Sequence, residues 1–339
     1  MPITDPLAFD SFPGRPDGER IAVVGLGGAG CEAVRDLVRL ELPGVRAVAI
    51  NTDATHLARI QVEERILLGQ RHLKGRGSGG DREQVRASAE EAREELLRRL
   101  ERNEIVFLLA GLGGGTGSAL LPLLTRGLRE RQTLAVPVAF LPFHIELESN
   151  PERRSNALGA LEELESMGGL LLALSNEKLR RFESLPMPRV LQARNAYLHG
   201  LVASLVDMVE HPGQLNVDLA SLKSHLAGSG VSTLLLSEEH VEEPERLVHA
   251  ALSDTLLDFE LSDNPSALVH VEGGSNLTLG ALERVWRTMR RRLGEPRRML
   301  VGTRTHPEPR AAVRLTAVVG GLRTGTVREA MTPRLLAPA

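Results

Sequence analysis

The chain has 339 residues, and its 41 Lys and Arg against 44 Asp and Glu leave a formal net charge of −3. That length exceeds one ordinary core and predicts two domains, while the charge balance and the 3% aromatic content leave no footprint for nucleic acid, so no nucleic-acid partner is expected. One cysteine, Cys31, excludes an internal disulfide framework, and no apolar run reaches the roughly 18 positions of a membrane span, so a cytoplasmic location without direct membrane insertion is expected.

Residues 1–19 read as a flexible arm. From 20 to 188, short apolar runs alternate with helical stretches: IAVVGL (21–26), RAVAIN (46–51), EIVFLLAG (104–111), TLAVPVAFL (133–141) and LLLAL (170–174), with the clearest helix at 81–101. Runs apolar on both faces are strands of a parallel sheet covered by helices, which makes this part a doubly wound α/β domain. A long helix follows from about 189 to 210, and residues 189–228 read as a connector. Residues 229–322 carry four strand-like runs and two helices, a smaller α+β domain. Residues 323–339 carry too little apolar periodicity to fold alone and read as a flexible tail.

Two glycine loops stand where strands give way to helices. GLGGAG (25–30) fits the dinucleotide fingerprint, with Asp53 near the spacing of a ribose-binding acid, and by itself points to NAD or to a mere packing turn. GGGTGS (113–118) repeats the strand-to-helix setting, and a dinucleotide fold has no need of it. GRGSGGD (75–81) precedes the long helix and can close over a terminal phosphate. Backbone N–H groups in such loops converge on anions, and helix N-termini add partial positive charge. The phosphate loop that carries a lysine is absent, since the only lysines are Lys74, Lys178 and Lys223. Three glycine loops in one domain favour a nucleoside triphosphate.

With these loops the sequence resembles the tubulin/FtsZ superfamily, and within it the FtsZ family of cell-division GTPases. The resemblance rests on GGGTGS, the first loop, NTDA (51–54), PF (142–143), SNEKL (175–179), HPGQLNVDLASLK (211–223) and the run through LTAVVGGL (315–322), and spans residues 20–322. It implies a tubulin/FtsZ-type GTP-binding sheet, a long central helix and a smaller α+β C-terminal domain. It implies GTP or GDP as ligand, with room for Mg2+, and a head-to-tail homopolymer in which a loop after the central helix completes the next subunit's hydrolytic site; other FtsZ-type proteins are further candidate partners. By position, phosphate contacts fall on Gly27, Gly28, Gly77, Ser78, Gly79, Gly114, Gly115, Thr116 and Gly117. The ribose contact falls on Arg153, guanine contacts on Asn176 and Asn195, and the activating residues on Asn216 and Asp218.

Departures from the family pattern cluster in the working parts. Ser221 replaces the second acid of the activating loop, which implies weak or absent GTP hydrolysis. Glu32 replaces an Asn beside the phosphates, where a carboxylate repels a triphosphate unless a cation intervenes. Asp81 replaces an Asn, and Ala119 the last glycine of the signature. Leu191 and Ala196 stand where the family has an aromatic stacker and a guanine-reading acid; Tyr197 is either a substitute stacker or a packing residue. Cys31 reads as a small buried filler. A non-hydrolysing regulatory or structural paralogue with an altered or empty pocket is the alternative, and an NAD-binding protein a remote one.

Overall fold

The computed structural model describes residues 20–39, 41–210, 215, 217–240, 242–323 and 325–332. The strands are β1 (Ile21–Leu26), β2 (Val45–Asn51), β3 (Glu64–Leu67), β4 (Ile105–Gly111), β5 (Leu134–Leu141), β6 (Leu171–Ser175), β7 (Val231–His240), β8 (Leu261–Gly273), β9 (Arg298–Thr305) and β10 (Ala312–Leu322). The helices are α1 (Gly27–Val38), α2 (Ala54–Ala58), α3 (Gln70–Leu73), α4 (Arg82–Leu100), α5 (Gly115–Glu130), α6 (His144–Ser149), α7 (Pro151–Ser166), α8 (Met187–Glu210), α9 (Leu219–Ala227), α10 (Pro244–Ser253), α11 (Leu279–Arg292) and α12 (Thr326–Ala330), with a 3-10 turn over Asn176–Phe182.

Strand order among the described residues is β3-β2-β1-β4-β5-β6-β7-β10-β8-β9. From β3 to β7 the neighbours run parallel, and β10 lies antiparallel between β7 and β8. All six residues of β1 and all eight of β5 are buried, as strands covered on both faces must be. Strand alternation divides the core. Ala22, Val24 and Leu26 join one cluster with α4, α5, α7, α10 and α11, while Ile21 and Val23 join the other with α1, α8 and α9. The central helix therefore covers one face of the sheet, and the two halves of that sheet meet through only two residue pairs, Leu171 with Val231 and Leu172 with Ser232.

The strands read from sequence are all present. Short β3, α2 and α3 were not legible there, because four- and five-residue elements show no period. Two expectations need correction. The connector 189–228 contains a second helix, α9, capped by Asp218. The tail assigned to 323–339 contains α12, and Val327 within it and Met331 just after it are 1% and 2% exposed in the core cluster; two apolar anchors suffice once a neighbour supplies the rest of the core. The arm 1–19 and residues beyond 332 lie outside the described residues.

Two buried histidines give the fold a pH dependence. His225 on α9 and His270 on β8 each have an Nε2 with no hydrogen-bond partner among the described residues. Burial pushes both down to about 4. The folded values lie below the unfolded value near 6.5, so this stability is complete above pH 6.5 and is lost as pH falls towards 4. Chemical denaturation should show a loss of about 1.4 kcal/mol per pH unit for each histidine across that window. His270→Phe should flatten the slope; an unchanged slope contradicts the assignment.

Candidate nucleotide site

The first and second loops sit side by side because β1 and β4 are neighbours, with Leu26 opposite Ala110. β1 has β2 on its other side, so the chain leaves the sheet in opposite directions here, at the topological switch point where open α/β sheets bind ligands. Neither α1 nor α5 has a side-chain cap at its N-terminus, which leaves first-turn N–H groups to face a ligand. Gly27 adopts φ +70° and a Cβ there would come within 3.1 Å of the Gly117 nitrogen, so the two helix starts abut.

Side chains lock the third loop onto this pair. Thr52 and Thr116 share a hydrogen bond of 2.8 Å between hydroxyls. Asn156 Nδ2 donates to the Gly80 carbonyl at 2.8 Å and to that of Gly113 at 3.3 Å. Gly77 N donates to the Thr52 carbonyl. The result is a cavity of about 490 Å3 lined by Gly27, Gly28, Gly77, Ser78, Gly79, Gly114, Gly115, Thr116, Gly117, Arg153 and Asn176, all of them expected from sequence. Its volume falls in the range of small-ligand sites. Arg153 packs on Gly113 and pairs with Glu146, which also lines the cavity.

Thr52, Arg76 and Asn156 line it too and were not singled out from sequence. Arg76 sits inside the third glycine stretch, which was a signal; Asn156 lies in an ordinary amphipathic helix, which gave none. Arg76 is exposed and makes no ion pair among the described residues.

Asn195 is placed differently. It is absent from the cavity wall, and both ends of its amide are engaged: Oδ1 accepts from Arg194, and Nδ2 donates to Asp36 at 2.8 Å. Tyr197 is a packing residue, 6% exposed, with its hydroxyl donating to Asp254 and accepting from Arg181. Leu191 packs on the core and Ala196 is exposed, and neither reaches the cavity.

Other departures have local explanations. Glu32 does not line the cavity; its carboxylate is paired with the Arg35 guanidinium, and His56 Nε2 lies 3.3 Å from it. Asp81 caps α4, accepting from Gln84 N at 2.9 Å, a role an acid fills as well as an amide. Ala119 is buried in the core face of α5. Cys31 is buried, and burial raises its thiol to about 12, as an inert filler requires. Asp53 caps α2, accepting from His56 N through Oδ1, and it also lines the cavity.

The described part of the segment expected to activate hydrolysis, residues 217–223, lies at the far end of the sheet. Lys223 on α9 donates to Glu104 at 3.2 Å, and Glu104 immediately precedes β4. Against the penalty of burial, hydrogen bonds from Arg20 and Lys223 hold Glu104 below the usual carboxylate range. The glycine loop 113–117 follows the other end of β4, seven residues on, or roughly 20 Å at the rise of a strand. Asp218 caps α9, accepting from Ser221 N at 2.8 Å and from Ser221 Oγ at 2.5 Å. The hydroxyl bond is the main cause of its lowered pKa. Asn216 lies outside the described residues.

Comparison with known proteins accounts for this arrangement. Residues 20–184 match the GTPase domain of the Tubulin/FtsZ family, and residues 230–323 the C-terminal domain of the FtsZ family. Cell division protein FtsZ of Methanothermobacter thermautotrophicus is 31% identical over 307 residues, 90% of this chain and 80% of that protein. The FtsZ of Haloferax mediterranei is 32% identical over 306 residues, again 90% and 80%. Among solved structures, an empty FtsZ dimer from M. jannaschii superposes with a TM-score of 0.79 at 31% identity, covering 89% of this chain and 88% of that one. CetZ2 of Haloferax volcanii, solved as a GTPγS-bound protofilament, shares the fold with a TM-score of 0.78 at 24% identity, covering 92% of this chain and 96% of that one. The chain belongs to the FtsZ family.

Proposed function

We propose that this protein binds GTP or GDP in the glycine-loop cavity, assembles head to tail, and hydrolyses GTP slowly. The observation that carries the reading is the separation of Asp218 from the glycine loops by the length of β4. Within one chain the acid and the phosphates cannot meet, and a second copy stacked end to end brings them together. The relatives named cell division proteins and the M. jannaschii dimer support such self-association.

The chemistry of the cavity supports a phosphate chain. Two uncapped helix N-termini and the glycine loops supply N–H donors, the hydroxyls of Thr116 and Ser78 add more, and Arg76 supplies charge where no lysine is present. Among the described residues no cluster of three or more His, Cys, Asp or Glu forms a metal cage. A Mg2+ ion bound here would be held by phosphate oxygens and water, with one or two of the lining carboxylates Asp53, Glu146 and Glu152 available to it. In hydrolysis, Asp218 of the next copy would orient the attacking water. Ser221, which holds Asp218 rather than adding a second carboxylate, accounts for the slow rate.

Nucleotide extracted from the purified protein and separated by chromatography should be GDP or GTP, and calorimetry should show binding of both. Binding of NAD with neither guanine nucleotide overturns the reading. Arg76→Ala should weaken GTP about tenfold and GDP less, because a charge-assisted contact to the terminal phosphate is lost. Equal weakening of both places Arg76 away from that phosphate.

A further inference from the structure

The base end of the cavity contains a buried chain of hydrogen bonds centred on a residue that does not itself line the wall. Arg194, in the first half of α8, is 3% exposed. Its guanidinium lies 3.8 Å over the Phe140 ring. Nη1 donates to Asn176 Oδ1 at 3.2 Å, and Nε and Nη2 donate to Asn195 Oδ1 at 3.3 and 3.2 Å. Asn195 Nδ2 then donates to Asp36 on α1. Burial lowers Arg194 to about 10, against the pull of Asp36 and Glu146, so the group remains a cation at neutral pH.

An arginine has five donors and no acceptor. Whatever amide atom faces Arg194 must therefore be the carbonyl oxygen, and the amide nitrogen must point the other way. Asn195 satisfies this at both ends, with the cation on its oxygen and a carboxylate on its nitrogen. Asn176 satisfies it at one end. Its Nδ2 has no protein partner among the described residues, and Asn176 lines the cavity.

We infer that Arg194 is a specificity-determining positioning residue: it fixes Asn176 as a donor towards the nucleotide base, so that the pocket selects purines with a 6-oxo acceptor edge and leaves the 2-amino group unread. Guanine and hypoxanthine both offer O6 and N7 acceptors, whereas adenine places an amino donor opposite the amide nitrogen. The carboxylates nearest this network are already engaged, Asp36 by Asn195 and Arg35 and Glu146 on the cavity wall by Arg153, and residue 196 is an exposed alanine. The inference rests on the proposed nucleotide function and extends it to the base.

Displacement of a fluorescent GDP analogue by GDP, IDP, ADP and 2-aminopurine riboside diphosphate tests it on the wild-type protein. IDP should match GDP within about threefold, and ADP and the 2-aminopurine nucleotide, which lack O6, should bind at least roughly tenfold more weakly. In Arg194→Met, Asn176 is free to turn its oxygen to the pocket, so the GDP-to-ADP preference should collapse. Arg194→Lys, which lacks the planar fork that spans both amides, should lose most of it. A merely structural role for Arg194 would weaken all four nucleotides together and leave the ratio unmoved; that result overturns the inference, as does wild-type preference for GDP over IDP by tenfold or more. If the wild-type protein binds none of the four, the proposed function itself fails, and this outcome is distinct from binding without the predicted preferences.

Discussion

Ser221→Asp should raise GTP hydrolysis about 100-fold, the scale on which a positioned acid or base acts. Ser221 donates its hydroxyl to Asp218 and so occupies one oxygen of the only acid that the described part of the loop supplies. Aspartate at 221 removes that donor and adds a second carboxylate. The substitution suits the fold, because residue 221 is exposed in the first turn of α9, where negative charge complements the helix dipole. The backbone bond from residue 221 N to Asp218 survives and keeps the helix capped. Phosphate release should rise with protein concentration, because the acids act on a neighbour's nucleotide. An unchanged rate at every concentration means that Ser221 does not limit turnover.

The second large effect separates two glycines two residues apart. A Cβ at Gly30 would lie 2.0 Å from the Leu109 carbonyl oxygen, a backbone atom of β4 that cannot give way without moving the sheet. Gly30→Ala should cost about 3 kcal/mol or more and lower the urea midpoint or abolish soluble expression. A Cβ at Gly28 meets nothing closer than His56 Nε2 at 3.9 Å, and the residue is exposed to the cavity. Gly28→Ala should therefore leave the urea midpoint nearly unchanged while weakening nucleotide binding, since it crowds the N–H groups that face the phosphates. Equal loss of stability in both variants would mean that the loop is a packing device throughout.

This contrast shows what was legible in the sequence. The glycine loops, the strands that end in them and Asn176 could be placed because each carries a local signature: an apolar run buried on both faces, a break, a helix. Those parts line one cavity. What could not be read were the long-range ties. Arg194 is 18 residues from Asn176, and Asn195 is 159 residues from Asp36; nothing in the local pattern says that these side chains converge. For the same reason Asn195 looked like a base contact, when the arginine beside it and Asp36 on the adjacent helix α1 already satisfy its amide. α12 was missed because its two apolar anchors have meaning only against a core built by other segments.

Asp218 is proposed to serve the cavity of another copy. Cys31, the only cysteine, is buried with its thiol raised to about 12, so introduced cysteines can be cross-linked without a competing site. Ser78→Cys in the third glycine loop and Leu219→Cys at the start of α9 should be combined in one chain and treated with a short bifunctional maleimide. With guanine nucleotide present, the double variant should give a ladder of dimers, trimers and longer species, and neither single variant should give more than dimers. A double variant that remains monomeric under assembly conditions, with or without nucleotide, would contradict the shared site.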